Sequence, residues 1–83
     1  MTRLEVRNIR ADEVAAIVRA ELRGEGDIDG RAFRGDGWSL AFVPGEPASV
    51  GRYRVPVLFI EIEGEREREA AALLRRKLMR GGG

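Results

Sequence analysis

The chain has 83 residues, with 15 basic and 14 acidic side chains and a net charge of +1. This length supports one domain with a thin core, which an oligomeric partner would help to stabilise. The absence of cysteine and histidine excludes disulfides, thiolate nucleophiles and the commonest general base and metal ligand. No apolar run approaches the roughly 18 residues of a membrane span. We therefore expect a cytoplasmic domain without a membrane partner.

The N-terminal part predicts a strand followed by an amphipathic helix. Apolar and polar residues alternate over residues 4–9, which places Leu4 and Val6 on one face of a short strand. From Ala11 onward the apolar residues recur at helical spacing, at Val14, Ile17, Val18 and Leu22. Gly24 is expected to end this helix.

A glycine-rich segment at residues 24–37 leads into a predicted hairpin. Residues 31–34 favour a short strand, and Asp36-Gly37 predicts a type I′ turn, which needs two residues that tolerate positive φ. Trp38, Leu40 and Phe42 then alternate along the next strand, and we expect them in the core. Four acids in this region lack the ligand spacing of an EF-hand, so turn chemistry explains them better than a metal site: Glu25, Asp27, Asp29 and Asp36.

Residues 50–63 form the longest extended segment. Pro56 cannot donate a ladder hydrogen bond, which predicts an edge or a bulge at that point. After it, Leu58, Ile60 and Ile62 line one apolar face, which we assign to the core. The opposite face carries Val57 and Phe59 and then turns acidic, so we expect it to be half covered.

A second helix is predicted over residues 65–80, with glutamates at its start and basic residues at its end. Its apolar stripe consists of Ala70, Ala71, Leu73, Leu74 and Leu78. The order is strand, helix, three or four strands, helix. We therefore predict one α+β domain over residues 1–83, with two helices on an antiparallel sheet and residues 81–83 as a flexible glycine tail.

Residues 50–65 read Val-Gly-Arg-Tyr-Arg-Val-Pro-Val-Leu-Phe-Ile-Glu-Ile-Glu-Gly-Glu, and the chain ends Arg-Gly-Gly-Gly. This segment resembles the C-terminal domain of MoaD-related proteins, relatives of the sulfur-carrying small subunit of molybdopterin synthase, here expected as a stand-alone chain. The resemblance implies a fold like the TATA-binding protein (TBP) repeat: β-α, four antiparallel strands in a curved sheet, and a long C-terminal helix. It implies a setting in molybdopterin (molybdenum cofactor) biosynthesis.

The leading functional hypothesis is a non-catalytic accessory or interaction module in sulfur transfer, without a cofactor or metal. It would form a homodimer or bind a sulfur carrier or an adenylating enzyme. Its tail, Gly82 and Gly83, lacks Cβ atoms as a carrier tail must, although Gly after basic residues is also an ordinary helix end. The candidate interaction surface consists of Val57, Phe59, Arg52 and Arg54.

Three alternatives stay open from the residues alone. The first is a small-molecule or peptide-binding module that uses the concave face of the sheet. The second is nucleic-acid binding by strand arginines with Tyr53 and Trp38 as stacking groups, which the near-neutral charge argues against. The third is an enzyme that works with carboxylates, the arginines, and Tyr53, Ser39 or Ser49, and no two of these have the spacing of a catalytic motif.

Overall fold

The computed structural model describes residues 1–26 and 30–78. Within them lie seven strands and two helices. In chain order these are β1 (Thr2–Arg7), α1 (Ala11–Glu21), β2 (Glu25–Gly26), β3 (Ala32–Gly35), β4 (Trp38–Pro44), β5 (Ala48–Val50), β6 (Tyr53–Val55), β7 (Val57–Glu63) and α2 (Glu67–Leu78). Five strands form a curved antiparallel sheet in the order β1-β7-β4-β3-β2, and β5 and β6 form a separate two-stranded sheet. The prediction of an α+β domain with an antiparallel sheet is confirmed.

Both helices pack on one face of the five-stranded sheet, and the core lies between the helices and that face. The alternation predicted for the strands is confirmed, because Leu4, Trp38 and Ile60 are all buried. From the helices, Val14, Val18 and Leu74 have no exposed surface. The rings of Phe33 and Phe42 pack with their centroids 5.6 Å apart, and the other strand residues in this core cluster are Val6, Leu40, Leu58 and Ile62.

The expectation that residues 50–63 form one extended segment, with an edge or a bulge at Pro56, is wrong. Pro56 separates β6 from β7, and these two strands belong to different sheets. Because proline has no N–H to donate, the continuous pairing of β7 begins only at the next residue. β7 then lies inside the five-stranded sheet, with β1 on one side and β4 on the other. Pro56 therefore marks a boundary between two sheets.

Two turns differ in detail from the sequence prediction. Asp36 and Gly37 do connect β3 to β4, but only Gly37 has a positive φ, of 81°, so the turn is not type I′. At the end of α1 the left-handed residue is Arg23, with φ 55°, whereas Gly24 was expected there. Gly24 serves close packing, since a Cβ on it would lie 2.6 Å from the Trp38 ring.

The start of α2 is fixed against the β3–β4 turn. The N–H of Arg66 donates to the carbonyl oxygen of Gly37 at 2.8 Å. Gly64 has φ 127°, and a Cβ on it would lie 2.3 Å from that same carbonyl oxygen. Only glycine fits where the chain passes this close to the Gly37 carbonyl. Because residues 64–66 are held against the turn in this way, α2 begins at Glu67, later than predicted. The predicted tail, with Gly82 and Gly83, lies outside the described residues.

Candidate functional site

The interior offers no polar site in the part of the chain that the structure describes. No polar or charged side chain is buried among residues 1–26 and 30–78. Within the same ranges, no three acidic side chains come close enough to hold a metal ion. Neither described helix is long and apolar enough to cross a membrane. The candidate sites are therefore surfaces, and three of them stand out.

The first surface is the sheet face opposite the helices, which we call the open face. The strand register places Ala41 beside Glu61 and Ser39 beside Glu63. On the other side of β4, Arg34 lies opposite Ser39. A groove of about 1060 Å³ runs over this region, bordered by four glutamates and floored by small residues. The open face thus combines a small-residue floor with a mostly acidic border.

Val57 and Phe59 lie at the far end of the open face, and they are less accessible than the predicted interaction surface requires. Val57 is only 9% exposed, and the Gly45 backbone packs over both side chains. The Arg3 guanidinium stacks 4.0 Å from the centroid of the Phe59 ring and also pairs with Glu61 at 3.5 Å. The predicted apolar patch is therefore partly covered by the chain itself.

The second surface is the β5–β6 hairpin, which we call the hairpin arm (residues 48–55). Its register pairs Ala48 with Val55 and Val50 with Tyr53. Because directly opposed residues in an antiparallel pair lie on the same face, these four side chains share one wholly apolar face. Val50 is 52% exposed and Tyr53 is 75% exposed. The arm thus presents an apolar face to solvent.

Arg52 and Arg54 belong to the hairpin arm and are separate from the open face. Arg52 lies in the turn, and Arg54 lies opposite Ser49 on the polar face of the arm. Both arginines are exposed, and neither takes part in an ion pair with another described residue. The predicted interaction surface is therefore divided between two places.

The predicted interaction surface did not include Val50 and Tyr53. The signal was present, because residues 48, 50, 53 and 55 are apolar around the two-residue turn Gly51-Arg52. Gly51 has the positive φ, 59°, that such a tight turn favours. The expectation of an extended segment from residue 50 onward did not include this turn.

The stacking groups proposed for nucleic-acid binding are not placed together. Trp38 is 8% exposed and faces the core, packed against Gly24 and Gly35, whereas Tyr53 lies on the hairpin arm. A base-stacking platform needs aromatic faces that are open to solvent and close to one another. The structure does not provide that arrangement within the described residues.

Glu67, the first residue of α2, forms surface contacts with the N-terminus. Glu67 accepts a hydrogen bond from the Thr2 hydroxyl at 2.6 Å and pairs with the Met1 amine at 3.2 Å. The Thr2 hydrogen bond, together with that amine, holds the pKa of Glu67 below its usual range. This carboxylate therefore ties the N-terminus to α2, and it is ionised at neutral pH. A general acid would need the opposite shift.

The third surface is the outer edge of β1, at one end of the five-stranded sheet. A cleft of about 220 Å³ lies beside it, between this strand and α2, with Leu4, Val6 and Leu78 in its lining. The charged residues Arg3, Glu5 and Arg75 complete the lining.

No protein-family model matches the chain, and no curated protein matches it significantly. The resemblance of residues 50–65 to MoaD-related proteins therefore stays a prediction. The function has to be argued from the geometry of these three surfaces.

Proposed function

We propose that this chain is a non-catalytic interaction module that binds a partner protein through the apolar face of its hairpin arm. The observation that carries the proposal is the exposure of Val50 and Tyr53 on an apolar face, at 52% and 75%. An isolated two-stranded hairpin is marginally stable in water, so a partner that covers this face would stabilise it. Burying one large apolar side chain contributes about 1.5–3 kcal/mol.

The composition of the arm suits a protein partner. Tyrosine and arginine are the residues that most often dominate binding energy at protein interfaces. Here Tyr53 lies between Arg52 and Arg54 in the chain, and both arginines lack an ion-pair partner among the described residues. Electrostatic complementarity then favours a partner with acidic groups around an apolar patch.

The proposed setting comes from the resemblance of residues 50–65, which includes most of the hairpin arm. It makes a ubiquitin-like sulfur carrier of molybdopterin biosynthesis, or the enzyme that adenylates such a carrier, the first partner to test. The proposal includes a cytoplasmic location for the chain. It also includes the TBP-like fold, which the element order supports: without the hairpin arm, the chain runs β-α, four antiparallel strands and a final helix.

The binding test compares substitutions on the apolar face of the hairpin arm with a substitution on its polar face. The purified chain is titrated with a purified sulfur carrier and with its adenylating enzyme, and binding is measured by calorimetry. Tyr53→Ser and Val50→Asp change the apolar face and should each weaken binding at least tenfold. Ser49→Asp, on the polar face, is the matched control and should keep binding within about twofold. Absence of binding to either protein, or equal losses from both faces, would contradict the proposal.

The tail makes a second version of this proposal, in which the chain is itself a carrier. Activation of a carrier takes place at its terminal carboxylate, so deletion of Gly82 and Gly83 would abolish that role. A scaffold would tolerate the deletion. Mass spectrometry of the C-terminus after incubation with the adenylating enzyme, ATP and a sulfur donor distinguishes the two versions. A thiocarboxylate on Gly83 supports the carrier, and an unmodified terminus supports the scaffold.

The groove on the open face favours a second candidate function, as a small-molecule or peptide-binding module. The helices leave this face uncovered, and its border carries Glu25, Glu61, Glu63 and Glu65 against one arginine, Arg34. A cationic peptide or metabolite would suit that border. Trp38 fluorescence can report on the groove, because Trp38 forms part of its lining although the side chain is largely buried. Ala41→Leu adds bulk to the groove without adding a second tryptophan and should abolish any signal from a bound ligand.

A further inference from the structure

The outer edge of β1 presents backbone groups that have no partner among the described residues, and they follow a defined pattern. The N–H of Asn8 donates to the carbonyl oxygen of Pro56 at 2.9 Å, which continues the β1–β7 register. Backbone groups alternate in direction along an antiparallel strand. The even-numbered residues of β1 therefore point their N–H and C=O groups at β7, and the odd-numbered residues point theirs outward. The outward residues are Arg3, Glu5 and Arg7.

The side chains of these outward residues alternate in charge. Arg3 is 52% exposed, Glu5 44% and Arg7 58%. Edge strands that avoid pairing commonly carry charge, often lysine, which repels a second copy of the same strand. An edge strand whose side chains are successively positive, negative and positive can instead pair with a second, antiparallel copy, because opposite charges then face each other. The pattern therefore favours a second copy of this chain as the partner.

We propose that β1 pairs antiparallel with β1 of a second copy, with Leu4 opposite Leu4. In this register Arg3 lies opposite Glu5 of the second copy, and Glu5 lies opposite Arg3. Opposite charges that face each other across strands are stabilising. A two-fold axis makes the two pairs equivalent, as in any isologous dimer. The result is one continuous antiparallel sheet through both copies.

Charge and strand length exclude the neighbouring registers. Centring the pairing on Glu5 sets Glu5 against Glu5 and Arg3 against Arg7, and like charges directly opposite are destabilising. Centring it on Val6 restores complementary charges. That register, however, keeps only residues 5–7 opposite each other within the strand, which ends at Arg7. The register centred on Leu4 keeps residues 2–6 of both copies paired.

The described residues leave space beside β1 for a second strand. The cleft of about 220 Å³ between β1 and α2 adjoins the outer edge. Glu5 can accept a contact from the second copy because Arg7 Nε occupies only its Oε2, at 2.8 Å. Each carboxylate oxygen has two lone pairs, so Oε1 can bind Arg3 of the second copy.

The first test is a charge exchange on exposed residues, measured by sedimentation equilibrium at low ionic strength. The wild-type chain should approach twice its mass of 9.2 kDa as concentration rises. Arg3→Glu or Glu5→Arg alone should weaken dimerisation roughly tenfold or more, because each cross-strand pair is worth up to about 1 kcal/mol. The double exchange should restore it when Glu61→Arg is added, because Arg3 also pairs with Glu61 of its own chain. Arg54→Glu is the matched control, since Arg54 is exposed on the hairpin arm and lies away from β1. A monomer at all concentrations, or no recovery in the combined variant, would overturn the proposal.

The second test uses the absence of cysteine from the chain. Leu4→Cys places two thiols opposite each other at a non-hydrogen-bonded pair, where Cα atoms about 4.5 Å apart suit a disulfide. Mild oxidation should give a disulfide-linked dimer at a protein concentration at which exposed Ser49→Cys gives little. Equal cross-linking of both variants would contradict this register. The test is independent of the hairpin arm, so its outcome is distinct from that of the partner-binding test.

Discussion

The five-stranded sheet and the hairpin arm have the same kind of sequence pattern and opposite environments. Along β7, Ile60 and Ile62 alternate with more polar residues and have no exposed surface, because α1 and α2 cover them. Along the arm, Val50 and Tyr53 alternate with polar residues and are more than half exposed. Alternation thus identifies a strand with one apolar face. It does not say whether that face is covered by the same chain or by another.

The two regions therefore have different roles. The apolar face of the five-stranded sheet supplies the free energy of folding, and its side chains are fixed by close packing. The apolar face of the hairpin arm contributes little to folding, since half or more of the surface of Val50 and Tyr53 remains in water. Folding therefore places little constraint on which residues occupy this face, and they can be suited to partner binding. Substitutions in the two regions should separate stability from association.

The largest effect is expected from Ile60→Ala. This side chain has no exposed surface, so its truncation leaves a cavity and should lower the free energy of unfolding by about 2–5 kcal/mol. Val50→Ala on the arm is the matched control and should cost less than about 0.5 kcal/mol. Urea denaturation followed by Trp38 fluorescence measures both. If the two variants lost equal stability, the contrast between the regions would be wrong. Ile60→Val, expected to cost about 0.5–1.5 kcal/mol, gives a measurable value if the alanine variant does not fold.

The next largest effect is a difference in stability loss between alanine substitutions at two glycines with positive φ. One glycine lies at the junction of β7 and α2, and the other lies in the hairpin arm. Gly64 has φ 127° and would place a Cβ 2.3 Å from the Gly37 carbonyl oxygen, whereas Gly51 has φ 59° and open space around it. Gly64→Ala should cost about 3 kcal/mol or more, from strain together with the clash. Gly51→Ala should cost about 1 kcal/mol, from strain alone. Thermal unfolding of both variants measures the difference, and a larger loss at Gly51 would contradict the packing described for the junction.

A smaller effect is expected from Tyr53→Ser. Because Tyr53 is 75% exposed, this change should alter the free energy of unfolding by no more than about 0.5 kcal/mol. The same variant should lose partner binding at least tenfold. Chemical denaturation and calorimetry on one preparation measure both quantities. A stability loss of several kcal/mol would mean that Tyr53 packs against the rest of the chain.

The smallest effect concerns pH. The pKa of Glu67 is lowered chiefly by the Thr2 hydroxyl, so this hydrogen bond stabilises the folded state at neutral pH. That contribution is lost as the pH falls through the pKa of the folded state. Thr2→Val should raise the pKa of Glu67 toward its usual range, and the stability difference from the wild-type chain should shrink in acid. An NMR titration of the Glu67 carboxyl measures the shift. An unchanged pKa would show that the Met1 amine, 3.2 Å away, dominates.

Local patterns were enough to predict the parts of the fold that depend on neighbours in the chain. The alternation of Trp38, Leu40 and Phe42 and the helical spacing from Val14 to Leu22 both corresponded to buried faces. Such local patterns do not predict which distant segments pair with each other. Nothing near Pro56 indicates that β7 lies between β1 and β4, and a register between distant segments depends on the whole sheet.

The candidate site was predictable only in part for the same reason. Arg52 and Arg54 are exposed, as an interaction surface requires, but their apolar neighbours Val50 and Tyr53 were expected in an extended segment and were not included in that surface. Phe59 was expected on a half-covered face. Its cover comes from Arg3, which is 56 positions earlier in the chain and reaches the ring only through the β1–β7 pairing. Long-range contacts of this kind determine whether a candidate site residue is exposed, and local sequence patterns do not reveal them.

The most direct measurement is the rate at which a thiol reagent labels single cysteines in this cysteine-free chain. Leu40→Cys places the thiol on the apolar face of the five-stranded sheet, and Val50→Cys places it on the apolar face of the hairpin arm. Under native conditions the thiol at position 50 should react nearly as fast as a free thiol, whereas the thiol at position 40 should react only through unfolding. A saturating partner should slow labelling at position 50 alone. Slow labelling at position 50 in the free chain would contradict an exposed apolar face on the arm.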